Sequence, residues 1–346
     1  MKDLLIVGFG LAGLSMARHA GQKNKTFDII SNQSQLSSRI AGGILNPVVV
    51  KRMKPVWQVE EFLPFAIEYY KSLDQKFQIT SYQDQSIKVF VHDIEQENNW
   101  YEAKDKPRLT PYLSSEVKVN TNKSIQVDKI GEVKAGLVNL IKLLNSAKAY
   151  FENHNSLISK TFDYSKLNIQ SNKLNYNGFD YQHIVFCEGF GVTHNPYFNN
   201  LGIYGNKGDY LILKSKNLKL KQILKAKYFL IPLGDDLYKF GATYQREPLN
   251  HEPSENAKAQ MLDALDKMID EPYEIVDQIC GIRPTTRDRR PVLGKHQNYS
   301  NVHILNGFGS RGTMISPLLG KQLIQHIFED KPLAEDISIH RIYART

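Results

Sequence analysis

Cysteine is nearly absent: Cys187 and Cys280 are the two thiols in 346 residues. Two thiols cannot staple a disulfide scaffold, and no histidine stands at metal-ligand spacing from either, so no metal centre is expected. A reducing, cytoplasmic compartment follows as the expectation. Long apolar runs are also missing. Nothing approaches the roughly 20 residues that cross a bilayer, so no membrane partner is expected. Internal repeats and low-complexity tracts are absent too, which excludes a solenoid and a disordered tail. Acidic residues are in deficit, 36 against 44 Lys and Arg, leaving a formal charge of +8. That surplus attracts anionic ligands in general. The basic clusters lack interleaved aromatic residues in the sequence, so a solvated basic surface is preferred to a nucleic-acid site.

What is present is ordinary globular composition, 41% hydrophobic and 23% charged. The chain is longer than a single core usually grows, which predicts two lobes.

The first residues, MKDLLIVGFGLAGLSM, admit two readings: a secretion signal, or a strand turning into a helix around a phosphate. A signal needs an unbroken apolar core. Here Gly8, Gly10 and Gly13 interrupt it at G-x-G-x-x-G spacing. Leu4–Val7 reads as a buried parallel strand, Leu11–His19 as a helix, and Phe27–Ile30 as a second strand within one βαβ span. Gly8 permits the turn, Gly10 lets the backbone approach a diphosphate, and Gly13 lets helix and strand pack closely. The helix N-terminus, with Leu11 and Ala12, then offers unpaired N–H groups to the phosphates. Dinucleotide binding is the expectation. The acid that normally grips the ribose is missing from the end of the second strand, where Ser31 and Asn32 stand instead. Asp28 lies too early. The substitution weakens a case for NAD more than one for FAD.

Further along, Ser37–Pro47 is small and glycine-rich, suited to lying against a flat ring or to forming a plain loop. Residues 58–77 have helical periodicity, 85–127 read as short β-like runs, and Val133–Leu144 as an amphipathic helix. Tyr181–Gly189 reads as a buried strand ending in Gly189, where α/β sheets hold ligands. Residues 207–247 read as antiparallel sheet, and 254–269 as a helix opened by Ser254. The lysine-rich link Lys214–Lys227 reads as a solvated hairpin end. The fold class is therefore α/β: a Rossmann-like, three-layer nucleotide domain on a parallel sheet, with an inserted domain of antiparallel sheet and helices. The expected division is 1–52, 130–200 and 275–346 for the nucleotide domain, and 53–129 and 201–274 for the substrate domain.

Two late segments, GIRPTTRDRRPVLG (281–294) and NGFGSRGTMISPLLG (306–320), complete a pattern with the opening motif and the Ala41-Gly42-Gly43 loop. Together they resemble the FAD-dependent amine and amino-acid oxidoreductases of the D-amino-acid oxidase superfamily. With FLIPLGDDLYKFGATYQRE they look closest to glycine oxidase and to the oxidase half of the bifunctional enzyme that matures methylaminomethyl-uridine in tRNA. The resemblance implies FAD, held non-covalently because Cys280 is displaced by one position from the tethering cysteine of sarcosine oxidases. It implies C–N oxidation of a small amine or amino acid by hydride transfer to flavin N5, with imine hydrolysis and reoxidation by oxygen or another acceptor. Arg283, in the GIRP motif, would bind the substrate carboxylate, and Asp288 matches a recurrent family position. Arg311 would be an active-site arginine or a turn-stabilising one. Gly307, Gly309, Ser310, Arg311, Gly312, Thr313 and Met314 would meet the far rim of the flavin, where a helix N-terminus stabilises negative charge. Tyr228, Phe229 and Tyr244 would roof the ring or belong to the core. Glu188, where relatives carry a small residue, has no assigned role. A tRNA partner, a nicotinamide-dependent dehydrogenase and a non-catalytic flavin module stand as the competing readings.

Overall fold

A computed structural model describes residues 1–344. Its first sheet has eight strands. Lys2–Val7 lies between Phe27–Ile30 and Phe179–Phe186, parallel to both, and Val302–Asn306 continues the parallel set beyond Phe179–Phe186. Leu4, Leu5 and Ile6 are fully buried. A strand covered on both faces reads as one continuous apolar run, not as an alternation. The helix Leu11–Gln22 packs so closely that a Cβ on Gly13 would stand 2.0 Å from the Gly8 carbonyl oxygen. Its other neighbour is the helix Gly312–Glu329, where Ser15 Oγ donates to the Ser316 carbonyl at 2.8 Å. A Cβ on Gly320 would meet that same hydroxyl at 2.1 Å.

The second sheet has nine strands, mostly antiparallel. Its order runs Glu274–Thr285, Tyr204–Lys214, Leu237–Gly241, Phe229–Gly234, Ile223–Lys225, Tyr82–Val91, Lys129–Val138 and Ile44–Leu45. The strands Lys129–Val138 and Glu274–Thr285 thus stand in this sheet and not in the parallel one. The helix Glu255–Asp266 covers one face, its Ser254 cap accepting from Ala257 N at 3.3 Å. No helix is long and apolar enough to cross a membrane among the described residues.

Three readings of the sequence need correction. Val133–Leu144 is not one helix: a strand ends at Val138, Asn139 caps Lys142 N at 3.0 Å, and the helix is Leu140–Asn153. Tertiary packing overrides the local period there. A Cβ on Gly131 or Gly136 would collide with the rings of Trp100 and Tyr82 at 2.6 and 2.8 Å, so the glycines serve a strand face that carries aromatics. Residues 85–127 are not all short strands, for Ile94–Lys104 is a helix whose cap Asp93 accepts from Gln96 N at 2.7 Å while Gln96 Oε1 accepts from His92 N at 3.2 Å. The Lys214–Lys227 link is more than a solvated end. It contains the strand Ile223–Lys225, parallel to Tyr82–Val91, with Ile223 and Leu224 fully buried.

Candidate functional site

A cavity of about 700 Å³ is walled by both sheets. From the parallel sheet come Gly8, Gly10, Leu11 and Ala12, then Ser31 and Asn32, then Glu188 and Gly189. Gly8 has φ +100° and a Cβ there would lie 2.4 Å from the Cys187 carbonyl oxygen, so only glycine fits this turn. Gly10 begins the helix without a side-chain cap, although the Leu11 N–H is taken by Ser38 Oγ at 3.1 Å. The next N–H groups and the positive end of the helix face the cavity. Ser31 Oγ accepts from Gln33 N at 3.2 Å, and Asn32 Nδ2 donates to Thr161 Oγ1 at 3.2 Å. Both line the cavity as short, uncharged groups.

The loop Ala41-Gly42-Gly43 also lines it. A Cβ on Gly42 would meet Ile231 Cδ1 at 2.8 Å and one on Gly43 the Val138 carbonyl oxygen at 2.0 Å, so the loop lies flat on the second sheet. Buried Lys239 holds it there, donating to the carbonyls of Ile40 at 3.1 Å and Ala41 at 3.4 Å. Burial lowers the Lys239 pKa to about 8.

Opposite, the turn Gly309–Gly312 leads into the helix Gly312–Glu329, whose first turn has no side-chain cap. Gly309 has φ +54° and donates its N–H to the Pro284 carbonyl at 2.8 Å, which ties this turn to the strand carrying Arg283. Pro317 has no N–H to offer the Thr313 carbonyl, and Tyr70 Oη supplies the missing bond at 2.7 Å. Ser310, Thr313 and Met314 line the cavity beside Arg311. Gly13 and Gly307 do not line it. The first serves helix packing, and Gly307 forms the corner after the last strand, its N–H on Asn306 Oδ1 at 2.7 Å.

Arg283 projects from Glu274–Thr285. Its Nη1 donates to Asn206 Oδ1 at 2.9 Å and to the Thr243 carbonyl at 3.2 Å, and its guanidinium carbon stands 5.3 Å from the Tyr244 ring centroid. Gly208 makes room for it, since a Cβ there would fall 2.0 Å from Nη2. Burial and the neighbouring Arg290 and Arg289 charges lower the Arg311 pKa. The ion-paired arginines among the described residues are Arg108 and Arg341. Arg283 and Arg311 both line the cavity, with no carboxylate partner among the described residues, an arrangement that favours an anion beside them. Tyr228, Phe229 and Tyr244 complete this wall. Asp288 is engaged elsewhere, paired with Arg341 at 3.0 Å.

Glu188 takes both oxygens to side chains, Oε1 accepting from Tyr164 Oη and Oε2 from Asn195 Nδ2 at 2.7 Å. Burial pushes its pKa up to about 7 against those two bonds. The roles of Ser38, Lys239 and Asn206 were not legible in the sequence, because each acts across elements far apart in the chain.

A model of the family described as FAD dependent oxidoreductase matches residues 3–326. The chain belongs to that family. Among curated relatives of this FAD dependent oxidoreductase, the tRNA 5-methylaminomethyl-2-thiouridine biosynthesis bifunctional protein MnmC of Haemophilus ducreyi is 22% identical over 97% of this chain. The chain spans 57% of that relative's length. Glycine oxidase of Geobacillus kaustophilus is 26% identical over 40% of this chain and 38% of its own. The crystal structure of glycine oxidase from that organism superposes with TM-score 0.79 at 17% identity, covering 96% of each chain. Iminodiacetate oxidase from Chelativorans sp. BNC1 gives 0.76 at 16% identity, covering 97% of this chain and 99% of its own. The fold is theirs: a parallel nucleotide sheet and an antiparallel partner. The cofactor is FAD, and this oxidoreductase's own cavity fits it. Its glycine turn admits no Cβ at Gly8, and uncapped helix ends stand on two sides.

Proposed function

We propose that this oxidoreductase oxidises the C–N bond of an amine bearing a carboxylate, such as a small amino acid or an N-carboxymethyl amine. The observation that carries the reading is Arg283, fixed by Asn206 and Thr243 yet without an acidic partner among the described residues, in the cavity that the two glycine turns share. A guanidinium offers a carboxylate two parallel hydrogen bonds and stays charged at any working pH. FAD bound there, without a covalent link, would supply the hydride acceptor and the route for electrons to oxygen or another acceptor. The residues that would hold it are Gly8–Ala12 at the diphosphate, Ser31 and Asn32 at the ribose, and Ala41–Gly43 with Gly309–Met314 at the ring. Arg283 orients the α-carbon by gripping the carboxylate, and Arg311 takes residual negative charge at the same end. Tyr228 and Tyr244 exclude water from the amine. The amine enters deprotonated, so its lone pair assists hydride loss and no side chain need act as base; water then hydrolyses the imine. The cofactor unit in this reading is 1–52, 139–200 and 286–346, with two expected boundaries moved to strand ends. Anaerobic bleaching of the flavin against a panel of amino acids and N-substituted glycines tests the proposal. Retained yellow colour with every amine would leave a non-catalytic flavin module.

A second reading is a carboxymethylamino group carried on a tRNA uridine. The name of the Haemophilus relative favours it, as do Lys51, Lys225 and Lys227 among the residues lining the cavity. The same chemistry applies, and bleaching by modified RNA but not by free amines distinguishes it.

A further inference from the structure

A second cavity, of about 570 Å³, is walled by Lys51, Arg52, Lys54, Lys106 and Arg108 with a single carboxylate, Glu102. Glu102 is already held by Lys106 at 2.7 Å, and Arg108 by Glu60 at 2.6 Å. Lys51, Arg52 and Lys54 are exposed and form no ion pair among the described residues. They sit on a hairpin of Val48–Val49 and Lys54–Pro55, whose tip is a 3₁₀ turn followed by Met53 at φ +42°. Lys51 lines this groove and the flavin cavity alike, so the two adjoin at this residue. On the wall of the flavin cavity, lysines lie over aromatic rings: Lys225 Nζ is 4.6 Å from the Phe229 centroid and Lys227 Nζ is 5.4 Å from that of Tyr228. Both pairs are local in the sequence, Lys227 standing directly before Tyr228 and Lys225 four residues before Phe229.

We propose that this groove binds the phosphodiester backbone of an RNA strand whose target base enters the flavin cavity, the Tyr228 and Phe229 rings supplying a stacking surface on its wall. The proposal rests on the RNA reading above and assigns its footprint. A polyanion neutralising unpaired cations releases counterions, with a slope in log K against log salt of about −0.7 per phosphate contact on single strands. Removing two contacts makes the slope shallower by about 1.4, which at 0.1 M salt, a decade below a 1 M reference, weakens binding about 25-fold.

The probe is a fluorescein-labelled single-stranded RNA of about 12 nucleotides, within the usual site size, titrated by anisotropy with the FAD-loaded protein across a salt series. Arg52→Gln/Lys54→Gln is compared with Lys123→Gln/Lys216→Gln, exposed lysines that line neither cavity; flavin absorbance reports that each variant is folded. The expected result is a 25-fold loss and a flattened slope in the first pair, and near wild-type binding in the second. Equal losses in both pairs, no RNA binding by wild type, or a poly-glutamate of equal charge binding as tightly as the RNA would each overturn the proposal. Bleaching is read separately: failure with free amines sinks the free-amine reading, failure with modified RNA sinks the RNA reading, and neither changes the salt-dependent binding by which the groove is judged.

Discussion

Glu188→Gln isolates the least expected group in the cavity wall. The unfolded glutamate titrates near 4.5, whereas burial raises the folded value to about 7. Between those two pH values the folded chain keeps a proton that the unfolded chain releases, so stability falls as pH rises. The interval spans about 2.5 pH units, worth about 3 kcal/mol at 1.36 kcal/mol per unit. Glutamine is neutral throughout, keeps an acceptor for Asn195 and turns its amide toward Tyr164, so it removes the titration while conserving shape. The variant should match wild type near pH 4.5 and exceed it by about 2–3 kcal/mol at pH 8. Urea unfolding of the FAD-free protein at pH 4.5, 6 and 8 reads the difference directly. A gap between the two proteins that does not widen with pH would refute the reasoning, and so would a variant less stable than wild type at pH 8.

The remaining predictions concern stability in acid and the cofactor cradle. His19 is buried against the Pro317 carbonyl at 2.9 Å, and burial lowers its pKa from 6.5 to about 4. The unfolded chain therefore takes up a proton that the folded site refuses, and stability should fall by about 3 kcal/mol as pH drops from 6.5 to 4. His19→Phe should flatten that limb of the urea-midpoint profile, and an unchanged slope would contradict the assignment. Gly10→Ala suits the backbone, whose φ of −111° any residue adopts, yet its Cβ would lie 2.6 Å from Ser38 Oγ, the partner of the Leu11 N–H. FAD affinity by fluorescence quenching should drop at least tenfold, about 1.4 kcal/mol, with little change in apoprotein melting.

Much of this was legible because the local signal and the tertiary role coincide. Leu4–Val7 had to be buried on both faces, the glycines of the first turn had to lack side chains, and GIRP and GSRG announced the arginine wall. Where they diverge, the sequence misled. Val133–Leu144 carried a helical period, yet Trp100 and Tyr82 needed the glycine faces of a strand at Gly131 and Gly136. The helix Ile94–Lys104 was announced by Asp93 and Gln96, a capping pair that went unread among β-like neighbours. Glu188 could be noticed as odd but not explained, since Asn195 reaches it only across the 3₁₀ turn Gly189–His194 and Tyr164 from a separate 3₁₀ turn. Lys225 looked like one more solvated lysine until pairing with Tyr82–Val91 brought it to the cavity.

One kinetic comparison bears most directly on the account: anaerobic flavin reduction by an N-carboxymethyl amine and by its carboxylate-free analogue, in wild type and Arg283→Ala. Losing one partner of a hydrogen-bonded charge pair costs about 2–5 kcal/mol, so wild type should prefer the acid by roughly 30- to 5,000-fold and the variant should lose that preference. A protein that carries no FAD, or a preference for the acid that survives in Arg283→Ala, would contradict it.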